Sequence, residues 1–172
     1  MRALPTFYAD HLFRSRTEAR YAVFFDAMGE KWAYETEGFD LDGDRYLPDF
    51  FLPRLEMYVE IKGIDPTDIE IRKARKLQFF TELDVAIFHG LPGKNNGTLF
   101  AWDDTEGGRF TEAVAQWDVI DGSLAVTDDI VLRPGRLSRA IAIATSAQFE
   151  FGAELATSKR IASIVDYDHM PF

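Results

Sequence analysis

The stretch Leu47-Pro48-Asp49-Phe50-Phe51-Leu52-Pro53-Arg54-Leu55-Glu56-Met57-Tyr58-Val59-Glu60-Ile61-Lys62-Gly63 decides how the chain folds. Successive side chains of a strand point to opposite faces, so Met57, Val59 and Ile61 share one face and Tyr58, Glu60 and Lys62 the other. Glu60 and Lys62 therefore point the same way. Phe50-Phe51-Leu52 is an apolar run that buries a preceding strand. Pro48 has no N–H to give a ladder, which predicts a bulge or an edge there and lets Asp49 be turned towards Glu60.

Outward from this stretch, Ser15-Arg16-Thr17-Glu18 has the form of a capping box and opens a helix over Thr17 to Met28, closed by Gly29. Trp32 to Phe39 and Arg45 to Leu52 read as strands joined across Leu41-Asp42-Gly43-Asp44, whose Asp-Gly pair signals a hairpin. Met57 to Lys62 is the third strand. Gly63 and Pro66 break the run, Thr67 or Asp68 caps a helix reaching Leu83, and Ala74, Leu77 and Phe80 fall at helical spacing along it. Val85 to Phe88 is a short buried strand, ended by His89-Gly90.

From Leu91 to Leu132 the pattern weakens into turns around Thr98 to Trp102, Gln116 to Ile120 and Leu124 to Thr127, an added hairpin region or a sheet edge. After Pro134-Gly135, the residues Leu137, Ala140, Ile141, Ala144, Gln148 and Phe151 give a helix with one packed face. The expectation is one domain over residues 1–152, with 91–132 as a β-rich appendage and 153–172 as a tail.

The chain has 172 residues, 47% of them hydrophobic, enough for one real core. No apolar run approaches the ~20 residues of a membrane span, and Met1 to Asp10 lacks the apolar segment of a signal peptide. The reading is a cytoplasmic protein, in the host cytoplasm if phage-encoded, with no membrane partner. With no cysteine, disulfides, Cys-ligated zinc and a thiol nucleophile are excluded. A net charge of -10 argues against a general polyanion-binding surface, so any nucleic-acid contact must be a local basic groove on an acidic body.

Two carboxylates and an ammonium converging at one end of a sheet suit Mg²⁺ or Mn²⁺, which take hard oxygen ligands and keep waters for chemistry. Leu47-Pro48-Asp49, ten intervening residues, then Glu60-Ile61-Lys62-Gly63 resembles the signature of the PD-(D/E)xK nuclease superfamily. Arg14-Ser15-Arg16-Thr17-Glu18, Glu37-Gly38-Phe39 and Ala147-Gln148-Phe149-Glu150-Phe151-Gly152 resemble small phage-borne members. The resemblance covers residues 13–90, loosely 133–152, and leaves 91–132 unexplained.

It implies an α/β fold with a restriction-endonuclease-like core: helix, three-stranded meander, helix, strand, then a β-rich insertion and a C-terminal helix. It further implies an Mg²⁺- or Mn²⁺-dependent endonuclease that hydrolyses DNA, with Glu18, Asp49, Glu60 and Lys62 as catalytic residues. Asp49, Glu60 and the Ile61 carbonyl would hold the metal, with Glu18 binding it directly or through water and Lys62 positioning the attacking water. A homodimer is among the arrangements small nucleases of this kind adopt.

Each of these residues has an ordinary reading. Glu and Lys on the wet face of a strand usually just solubilise it, Asp after Pro is a turn residue, and Glu18 serves a cap. Their conjunction, in order on the right elements, favours the enzyme over the alternative of a catalytically idle scaffold that binds a protein or nucleic-acid partner.

Arg14 and Arg16, then Arg72, Lys73, Arg75 and Lys76, then Arg136 beside Arg133 and Arg139 are the candidate nucleic-acid contacts. Cations near the start of the last helix oppose its dipole by about 0.3–1 kcal/mol, so something anionic is expected to meet Arg133 and Arg136. His11, His89 and His169 are scattered and take no role. Asp40-Leu41-Asp42-Gly43-Asp44 lacks the glycine and glutamate positions of a calcium loop and reads as a turn.

Overall fold

The computed structural model describes residues 3–103, 109–120, 123–127 and 135–149. The chain runs β1 (Thr6–Tyr8), β2 (His11–Phe13), α1 (Arg16–Met28), β3 (Ala33–Tyr34), β4 (Phe39–Leu41), β5 (Asp44–Tyr46), β6 (Phe50–Leu52), β7 (Met57–Lys62) and α2 (Asp68–Thr81). It continues through β8 (Asp84–His89), β9 (Gly97–Asp103), β10 (Arg109–Ile120), β11 (Ser123–Thr127) and α3 (Gly135–Ser146). This is a mixed α/β architecture.

Seven strands form one sheet in the order β11-β10-β9-β8-β7-β6-β3, and β1-β2 and β4-β5 are separate hairpins. Among the described residues only β7 and β8 pair in parallel, with Glu60 opposite Ile87 and Lys62 opposite His89. A parallel pair needs a long crossover, and α2 supplies it. The expected alternation of β7 holds. Met57, Val59 and Ile61 join Ala86, Phe88, Ala115 and Trp117 against α1 and against Leu137, Ala140 and Ala144 of α3. Tyr58, Val85, Ile87 and Phe100 meet Ala74 and Leu77 of α2, with Leu41 of the hairpin. The core thus has two layers of apolar side chains with the sheet between them. Truncating a fully buried residue such as Leu77 to Ala should cost about 2–5 kcal/mol.

Local chemistry explains the helix limits. Ser15 accepts from the Glu18 N–H at the start of α1, and Gly29, at φ 71°, ends it in a left-handed cap. Thr67 and Glu70 form a complete capping box at the start of α2.

Three expectations are corrected. The strands read over Trp32 to Phe39 and Arg45 to Leu52 are four short pieces, because Glu35 at φ 47° and Pro48 interrupt them. The Asp42-Gly43 turn closes a hairpin as expected, both residues at positive φ, but that hairpin stands outside the main sheet. Gln148 lies beyond the last helix, which ends at Ser146. The strands β9, β10 and β11 extend the sheet antiparallel, β9 pairing with β8. Arg133, Phe151 and the tail 153–172 lie outside the described residues. No helix among the described residues is long and apolar enough to cross a membrane.

Candidate active site

Carboxylates are seldom buried unless something holds them, and among the described residues five are: Glu30, paired with Arg54, Asp118 on β10, and three that stand around β7. Glu18, Asp49 and Glu60 are 7%, 5% and 5% exposed. Asp49 lies just before β6, whose first residue pairs Phe50 with Val59, so it stands beside Glu60 across the ladder. Its Oδ2 accepts the Ile61 N–H at 2.7 Å, which fixes it against β7 without a bulge within β6.

Glu60 and Lys62, on the α2 face of β7, form an ion pair of 2.5 Å. The Lys62 ammonium also reaches Glu70 Oε1 at 3.0 Å, and the Tyr46 hydroxyl donates to Glu60 Oε2 at 3.1 Å. Glu18 departs from the capping box expected of it. Its Oε2 accepts from the Tyr34 hydroxyl at 2.6 Å and from the Arg14 amide at 3.1 Å, and its Oε1 accepts from Ser15 Oγ at 2.7 Å. The carboxylate thus caps the residue before the N-cap and is tied to β3.

Electrostatics join these groups. Burial first, then the negative charges of Glu60 and Glu18, push the Asp49 carboxyl well above the usual range, against the opposing pull of the Ile61 N–H and Lys62. Burial and Glu60 likewise raise the Tyr46 phenol. Burial alone would lower Lys62, but Glu60 and Glu70 more than reverse it, so the ammonium stays charged. Against a burial cost, the Thr67 amide, Lys62 and the Thr67 hydroxyl hold Glu70 down to about 2.

The sequence matches no family model, no curated protein and no solved structure.

Chemistry therefore has to be read from the donors themselves. Among the described residues no three Asp, Glu or His side chains stand close enough to hold a metal ion as they are arranged, and the Lys62 ammonium sits against Glu60. The donor set nevertheless fits a hard divalent cation. It consists of oxygen alone, it is nearly dry, and its mutual repulsion is what such a cation would relieve.

An open cleft of about 680 Å³ leads to Glu60, Lys62 and Glu70, with Arg14, Arg45 and Lys73 among its lining. Of the other basic candidates, Arg72 and Lys76 reach Asp44 at 3.9 and 2.7 Å, Lys76 also bonds the Leu41 carbonyl, and Arg75 pairs with Glu112. These α2 cations fasten neighbouring strands. Arg16 is the first residue of α1. Arg136 donates to the Met28 carbonyl at 2.6 Å, so the negative end of the α1 dipole is what meets this cation.

Sequence reasoning missed Tyr34, Tyr46, Glu70 and Arg45. For Glu70 a signal existed, since Thr67-Asp68-Ile69-Glu70 repeats the form of Ser15 to Glu18. The tyrosines reach their partners across loops, and their local sequence carries no such mark.

Proposed function

We propose that this protein is a divalent-cation-dependent nuclease that hydrolyses DNA phosphodiester bonds, on a core of the restriction-endonuclease type. The observation carrying the reading is that buried Asp49, held just before β6 by the Ile61 amide, stands with Glu60 and Lys62 of β7 in one electrostatic site that also feels Glu18 from α1. A merely solubilising Glu and Lys need neither burial nor a third and fourth partner.

Asp49, Glu60, the Ile61 carbonyl and Glu18 are the groups that would hold Mg²⁺ or Mn²⁺. When bound, the cation supplies polarisation of the phosphodiester and acidifies a water. The chain's own residues do the rest. Lys62, kept protonated by Glu60 and Glu70, donates to the attacking water and offsets charge developing on the phosphate. A charged ammonium suits orientation of the water better than abstraction of its proton. Tyr46 fixes the free oxygen of Glu60 and Tyr34 that of Glu18, so both carboxylates keep their aim.

The test is incubation of wild type and Lys62→Ala with supercoiled, linear, single-stranded and branched DNA and with RNA, in Mg²⁺, Mn²⁺ or EDTA. Metal-dependent cleavage of DNA that disappears in folded Lys62→Ala is the expected result. No cleavage by folded wild type in any lane would overturn the reading.

A further inference from the structure

The cleft has a wall that supplies none of the proposed cation ligands. The β4–β5 hairpin adds nothing to the main ladder, yet it is fastened to α2 at several points. Lys76 bonds the Leu41 carbonyl at 3.1 Å and Asp44 at 2.7 Å, Lys73 bonds the Arg45 carbonyl at 3.2 Å, and Leu41 packs with Ala74 and Leu77. A hairpin held so firmly is a built surface, and it lines the cleft with Phe39, Asp40, Tyr46 and one cation, Arg45.

Arg45 is exposed, and its natural cross-strand partner is Asp40. That carboxylate is turned away, accepting the Gly43 N–H at 2.7 Å inside the turn. Among the described residues the Arg45 guanidinium has no hydrogen bond and no ion pair, whereas Arg14 is paired with Glu35, and Lys62 with Glu60 and Glu70. Lys73, beside it on α2, bonds only a carbonyl, that of Arg45 itself. Two cations without carboxylate partners thus border a cleft whose floor is acidic, in a chain of net charge -10. A guanidinium fork matches two phosphate oxygens, and an ammonium adds a point charge beside it.

We propose that Arg45 binds a backbone phosphate of the substrate next to the one being cut, so that the β4–β5 hairpin and the stretch of α2 fastened to it form one wall that seats a DNA strand in the cleft leading to Glu60 and Lys62. The assignment rests on the nuclease reading and names how that site takes its substrate. Lys73 assists from α2, beside Arg45.

Binding of a fluorescent single-stranded DNA oligonucleotide to the full chain carrying Asp49→Asn, measured by anisotropy in EDTA from 50 to 200 mM salt, tests this. Each phosphate contact contributes about 0.7 to the slope of log affinity against log salt for a single strand. Arg45→Ala should weaken binding several-fold and flatten the slope by about 0.7, and Arg45→Lys should restore the slope. Lys31→Ala, which removes the same charge from a separate depression beside Asp26 and Trp32, should leave the slope unchanged. An unchanged slope in Arg45→Ala, an equal flattening in Lys31→Ala, or no binding by the parent would overturn the proposal. Cleavage by wild type in a parallel assay separates the two claims: with cleavage present, only the role of Arg45 falls.

Discussion

Two helices of this chain begin with the same sequence form, a hydroxyl residue followed three positions later by Glu, and they use it differently. At α2 the box closes, Thr67 capping Glu70 and Glu70 returning the bond to the Thr67 amide at 2.8 Å. At α1 only the first half forms, and Glu18 turns its carboxylate to Tyr34, Ser15 and the Arg14 amide instead. Both glutamates end at the site, one holding Lys62 and the other standing where its charge is felt by Asp49. At α2 the rule is obeyed with one carboxylate oxygen, which leaves the other for Lys62. A local rule half-broken, by a buried carboxylate, marks a residue with a second task.

The largest effect expected is on the pair both glutamates serve. Asp49→Asn or Lys62→Ala should lower the rate of cleavage by about 10²–10³-fold, the range general for removing one preorganised group that stabilises developing charge. Next comes the comparison itself. Glu18→Gln should cost about 10–100-fold in cation affinity or rate, the usual effect of disturbing groups around a metal, with little change in thermal stability. Glu70→Gln should change the rate by only a few-fold, since glutamine can still close the box and Glu60 still holds Lys62. Equal losses in the two variants would erase the distinction between the helices.

Stability offers a smaller contrast. Ser15→Ala and Thr67→Ala should each cost about 1 kcal/mol of unfolding free energy, as lost N-caps do. Only Ser15→Ala should also reduce cleavage, because Ser15 Oγ donates to Glu18. Chemical denaturation and cleavage assays on the same preparations decide this.

The smallest effect is in pH dependence. Glu70 is held down to about 2 from an ordinary 4.5, so the folded chain binds its proton less tightly than the unfolded chain. Its contribution is therefore present above about pH 4.5 and lost as pH falls towards 2. Wild type should exceed Glu70→Gln in denaturation midpoint above that window, and the two should converge at its acid end. Asp49 has the opposite sign. Its carboxyl is raised, so in metal-free protein the stabilising contribution is present at low pH and lost as pH rises through the folded value. Metal-free Asp49→Asn should accordingly unfold at higher temperature than wild type at neutral pH.

Much of this was legible in the residues. Alternation in Met57 to Lys62 gave the two faces of the central strand, because apolar and polar positions strictly interchange there. Cap residues located the starts of α1 and α2 to within one residue of their places. What escaped has physical causes. The tyrosines and Arg45 act across the interrupted segment between β3 and β6, where long-range pairing and not local preference sets the conformation. Only Gln116 to Ile120 of β10 was readable, since Glu112, Ala113 and Ala115 lack the bulk and branching that mark strands. The Asp44 and Glu112 that meet Arg72, Lys76 and Arg75 were likewise hidden, because sequence shows charge and not its distant partners.

In the proposed function Glu18, Asp49 and Glu60 form one cation site serving hydrolysis. Titrating metal-free wild type and Asp49→Asn with Mn²⁺ by calorimetry tests this. Saturable binding by wild type is expected, weakened at least tenfold by Asp49→Asn while the variant remains folded. Equal binding by both, or none by folded wild type, would contradict it.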